Sequence, residues 1–90
     1  MKELDKRAND KTNKIIKAVE LYVSTNNRNP ENLGIFLEKL NIQTNVKYLF
    51  FNTDITLHHR NGTLLVQYYH YPFGPFTGYN FETKEWFAEE

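Results

Sequence analysis

The side chains that could do chemistry are few, and their spacing sorts them. His58, His59 and His70 invite a metal-site or acid–base interpretation. His58 and His59 are neighbours in a segment that alternates like a strand, so they point to opposite faces and cannot share an ion. His70 shares a face with His59, but about five ladder positions away, roughly 15 Å at the rise of a strand. All three are expected to be surface or packing residues, and neither a metal nor another cofactor is expected. Ser24 is the only serine, at a predicted helix end with no histidine or acid fixed beside it. Paired carboxylates would have to come from Asp54, Glu82, Glu85, Glu89 and Glu90, and the tail glutamates are expected to be solvated. Cysteine is absent, which removes thiolate chemistry and disulfides together. No glycine-rich phosphate loop occurs either, because Gly74-Pro75-Phe76-Thr77-Gly78 is bulky where such loops need bare backbone. The expectation is a protein that is not an enzyme.

Aromatic residues are the larger signal. Tyr68-Tyr69-His70-Tyr71-Pro72-Phe73 is followed by Phe76, Tyr79, Phe81, Trp86 and Phe87. Period-two alternation places Tyr69 and Tyr71 opposite Tyr68, and a domain this small hides only part of such a set. Tyr and Trp are enriched at binding hot spots. Base stacking would want Arg or Lys among the rings, and between Gln67 and Phe81 the sole basic residue is His70.

The 90 residues fit a single domain, with 40% hydrophobic content sufficient for one core. Formal net charge is zero, which lacks the electrostatic footprint of a sequence-independent nucleic-acid binder. Residues 1–28 nevertheless carry seven basic against four acidic groups, and the remainder four against seven. No apolar run is of signal-peptide or membrane-spanning length, so a cytoplasmic protein without membrane contact is expected. Abundant asparagine, with Ala8, Ala18 and Ala88 the only alanines, is the bias expected of an AT-rich coding sequence, compatible with a low-GC bacterium or its phages and mobile elements.

These residues need elements to position them. Leu4, Ala8, Ile15, Val19 and Tyr22 recur at helical spacing, with Lys2, Lys6, Lys17 and Glu20 opposite, and predict a helix ending near Ser24. Asp10 or Thr12 could cap a shorter version. Asn29-Pro30-Glu31 then offers a cap, a first-turn proline and an acid, so a second helix is predicted from Pro30, with Leu33, Phe36, Leu37 and Leu40 on one stripe and Asn41-Ile42 closing it.

From Val46 the period is two. Asn61-Gly62 predicts a type I′ hairpin pairing Leu57 with Val66 and Ile55 with Tyr68. The core face is then Ile55, Leu57, Leu64, Val66 and Tyr68. The other face carries Asp54, Thr56, His58 and Arg60 with Thr63, Leu65, Gln67 and Tyr69. Tyr71 to Gly78, with two prolines and two glycines, is predicted to be an aromatic loop. Beyond it, Phe81 should pair with Trp86 across a loop at 82–85.

The architecture predicted is α+β: one domain over 1–90, with a helical pair at 3–41 packed on one face of a four- to five-stranded antiparallel meander at 46–88. The function expected is non-enzymatic binding of a protein partner through Tyr69, Tyr71, Phe73, Phe76, His58 and Arg60. Single-stranded nucleic acid is the alternative ligand, and a homodimer is compatible with either.

Overall fold

The computed structural model describes residues 2–70 and 75–89. It contains two helices and a five-stranded antiparallel sheet: α1 (Lys2–Asn26), α2 (Leu33–Lys39), β1 (Asn45–Tyr48), β2 (Phe51–Arg60), β3 (Thr63–Tyr69), β4 (Phe76–Asn80) and β5 (Glu85–Glu89). The strands lie in sequence order, β1-β2-β3-β4-β5, as a meander.

α1 is one unbroken helix laid on the sheet against β1, β2 and β3. Leu4, Ala8, Ile15 and Val19 are fully buried. Thr12, which could have capped a shorter helix, sits inside the buried stripe. Its Oγ1 donates to the Ala8 carbonyl at 2.7 Å, so a hydroxyl in the core keeps a partner from its own helix.

The second helix differs from expectation. It starts at Leu33 rather than Pro30, because Asn32 is the residue whose side chain caps it, accepting from the Ile35 N–H at 3.0 Å. Its predicted end is present. Asn41 has φ 57°, its N–H donates to the Glu38 carbonyl and that of Ile42 to the Leu37 carbonyl, which is the double bond of a Schellman motif. At seven residues and with none buried, α2 is not a second helix seated on the sheet face; Leu33, Phe36 and Leu37 pack at the margin of the core, and Phe36 meets Tyr22 edge-on at 5.4 Å.

The central hairpin has the predicted register, with Arg60 paired to Thr63, Leu57 to Val66 and Ile55 to Tyr68. Asn61 and Gly62 both have positive φ, 53° and 82°, as a type I′ turn demands. The predicted aromatic loop is a strand over part of its length. Positions 71–74 lie outside the described residues, but Phe76 to Asn80 form β4, between β3 and β5. Gly78 is tolerated in this central strand because the Phe87 ring of β5 fills the space a β-carbon would take.

The β4–β5 register is also shifted by two residues. Tyr79, not Phe81, pairs with Trp86, and the loop is 81–84. Asn80 starts it by accepting the N–H groups of Glu82 and Thr83 on its side chain, while Lys84 closes it at φ 61°. An even shift preserves side-chain parity, so Tyr79, Phe81 and Trp86 still share the helix-facing side, with ring centroids 5.2 and 5.5 Å from Tyr79.

A β-carbon at Gly78 would collide with Phe87 Cζ and lie 2.8 Å from the Val66 carbonyl oxygen. Replacing glycine ordinarily gains about 0.5–1 kcal/mol through the unfolded chain. Here backbone on one side and a packed ring on the other outweigh that gain. Gly78→Ala should therefore cost about 2 kcal/mol and lower Tm by roughly 10 °C in thermal melts.

Candidate functional site

The hairpin parity leaves the side of the sheet away from α1 without a covering layer among the described residues. That face carries Thr56, His58 and Arg60 from β2, Leu65, Gln67 and Tyr69 from β3, Phe76, Gly78 and Asn80 from β4, and Glu85 and Phe87 from β5. Four of the predicted site residues are therefore brought together. Tyr71 and Phe73 lie outside the described residues.

The rings form a row across three strands. Tyr69 and Phe76 are directly paired, with centroids 5.3 Å apart, and Phe76 meets Phe87 at 6.1 Å, both edge-on. Tyr69 is 54% exposed. Beneath the row, Leu65 and Gln67 are only 6% and 9% exposed although they belong to the open face. The glycine at position 78 lets Phe87 lean across the strand, and sequence alternation alone had assigned this face a mixed, more polar character. Gln67 keeps a partner, since its Oε1 is 3.2 Å from His58 Nε2, a complementary pair when that nitrogen carries the proton.

Beside the row, Arg60, Leu65, Asn80, Glu85 and Phe87 help line a depression of about 380 Å³, within the size range of small recognition pockets. Phe87, Leu65, Asn80 and Glu85 were not among the site residues predicted from sequence. The in-strand glycine flanked by aromatics was the signal that could have found Phe87.

At one end of the sheet the β1–β2 turn is made of Leu49 and Phe50, where Asn and Gly would be the cheap choices. Leu49 sits at φ 58° and Phe50 is 98% exposed. The Thr53 hydroxyl donates to the Tyr69 carbonyl at 2.7 Å, which fixes this end of β2 to the end of β3 that carries Tyr69.

On the helix side, His70 joins two groups that sequence reasoning did not connect. Its Nδ1 is 3.0 Å from Asp5 Oδ1 of α1, and its Nε2 is 2.6 Å from Thr77 Oγ1 of β4. The order acid, imidazole, hydroxyl is that of a hydrolytic triad. Here Tyr68 crowds the same hydroxyl, and what the cluster does is tie the first turn of α1 to the β3–β4 connection. His58 and His59 point to opposite faces, and among the described residues no group of three potential ligands is placed to hold a metal ion. Among the described residues, no helix is long and apolar enough to cross a membrane.

Compared with family models, with curated proteins and with solved structures, the chain matches none significantly.

Burial raises the Tyr68 phenol above its ordinary value of 10.0, with Asp5 adding to the effect and hydrogen bonds from Asn9 and Thr77 opposing it. The unfolded chain then loses this proton first as pH rises, so it binds fewer protons than the native state above pH 10, and stability falls there. Tm should hold below the unfolded phenol's pKa and decline above it; Tyr68→Phe, less stable at neutral pH, should show a shallower alkaline decline.

Proposed function

We propose that this protein is a non-enzymatic partner-binding protein, an inhibitor, immunity or regulatory factor of the kind phages and other mobile elements encode, acting through its open sheet face. The observation that carries this is the row Tyr69–Phe76–Phe87 on the side of the sheet opposite α1. Rings held by three hydrogen-bonded strands lose little freedom on binding, and desolvating them contributes strongly to affinity. His58, Arg60 and Glu85 flank the row as polar groups able to fix register with a partner. The exposed Leu49-Phe50 tip, at the same end as Tyr69, would extend the contact. A turn residue in a strained conformation with a fully exposed ring beside it is costly for folding alone.

Tyr69→Ala and Phe50→Asp are the informative variants. Tyr69 is half exposed, so its loss should cost under about 1 kcal/mol, mostly the ring contact to Phe76. Phe50→Asp should leave Tm within about 2 °C. Both should abolish capture of a cellular protein that the parent chain retains at physiological salt. A large fall in Tm on Tyr69→Ala would assign the ring to the core and remove the proposed surface. If instead the retained ligand is an oligonucleotide whose binding collapses with added salt, the face is a stacking platform for single-stranded nucleic acid. Concentration-dependent sedimentation, abolished by Tyr69→Ala, would make the partner a second copy of the chain.

A further inference from the structure

A second groove lies away from the aromatic face, between α1, α2 and the outer edge of β1. Its volume is about 940 Å³, and Arg7, Lys11 and Lys14 of α1 form one wall. The opposite wall is the segment from Gln43 to Lys47, and Leu37, Ile42 and Val46 provide apolar lining.

β1 is an edge strand whose one neighbour in the sheet is β2. Its register pairs Val46 with Thr53 and Tyr48 with Phe51, and the Thr44 carbonyl accepts from Ile55 N–H at 2.8 Å. Positions 44, 46 and 48 therefore direct their backbone groups inward. By the alternation of an antiparallel ladder, Asn45 and Lys47 direct theirs outward. Those outward groups are on the strand that walls the groove.

The charge is uneven. Arg7, Lys11 and Lys14 line the groove against Asp10 and Glu38, while Lys47, paired with Asn52, turns its side chain to the other sheet face. Arg7 is partly committed, to Glu3 at 2.9 Å and over the Tyr48 ring at 4.9 Å. Among the described residues, Lys11, Lys14 and Lys47 make no ion pair. The basic ridge from Arg7 to Lys14 spans roughly 10 Å at helical rise, and a four-residue strand about 13 Å, so the two walls match in length.

We infer that this groove receives an extended acidic peptide, which adds to the β1 edge through the backbone of Asn45 and Lys47 while its carboxylates meet Lys11 and Lys14. An open strand edge offers N–H and C=O at strand spacing, the complement of another extended chain. Two carboxylates within the groove disfavour a dense polyanion, and an added strand turns only every second side chain toward α1, which favours a ligand that alternates acids with neutral side chains.

The test uses the full chain and a fluorescein-labelled heptapeptide alternating glutamate and valine. Its anisotropy should rise saturably, and the amide resonances of Asn45 and Lys47 should shift. Lys11→Glu with Lys14→Glu, both on the exposed or half-buried side of α1, should weaken binding at least tenfold with an unchanged circular dichroism spectrum. N-methylation of alternate peptide nitrogens should weaken it comparably, and a lysine–valine peptide should not bind. Tyr69→Ala should leave the affinity unchanged, so this groove and the aromatic face stand or fall separately. Absence of saturable binding, equal affinity for the N-methylated peptide, or tighter binding of a short oligothymidylate would overturn the inference.

Discussion

The positive φ of Asn61 and Gly62 closes the β2–β3 hairpin on a two-residue turn, and that turn decides which side chains of the whole sheet meet α1. With Arg60 opposite Thr63, the odd positions of β2 and the even positions of β3 face the helix. A slip of one residue would bury Thr56 and Gln67 in place of Leu57 and Val66, stranding polar groups in the core and aliphatic ones in water. The same parity passes to β4 through Val66 and Tyr79 and to β5 through Tyr79 and Trp86. Tyr69, Phe76 and Phe87 share the other face as a consequence of where the hairpin turns.

What was legible in the sequence was what local chemistry decides. A type I′ turn needs two residues that tolerate positive φ, and a Schellman end needs one residue in that region followed by an apolar contact; both occurred where Asn-Gly and Asn41-Ile42 announced them. What was not legible depended on partners distant in the chain. Gly78 reads as a strand breaker until Phe87 covers it. Thr12 reads as a cap until the neighbouring strands surround it. Asp5 and Thr77 meet only because His70 stands between α1 and β4. Asn32 outcompeted Asn29 as the cap of α2 through a single side-chain bond, a difference composition does not encode.

The covered glycine also bears on the open face. Without Phe87 across β4, Leu65 and Gln67 would be wetted and the row of rings would end at Phe76. With it, an apolar strip is kept dry and rigid by backbone hydrogen bonding rather than by a second helical layer. Such a face holds its rings in place across three strands while leaving Tyr69 half exposed.

α1 serves two surfaces through its rotation on the sheet. Leu4, Ala8, Thr12, Ile15 and Val19 are buried. Arg7, Lys11 and Lys14 each precede a buried residue by one position, which turns them by about 100° from the buried stripe. That offset carries the cations past the edge of the core and over the groove beside β1, whereas Lys6 and Lys17 remain exposed outside it. Three of the seven basic residues in the first 28 thus lie on one flank of the helix. It faces the one stretch of β1 whose backbone the sheet leaves unpaired.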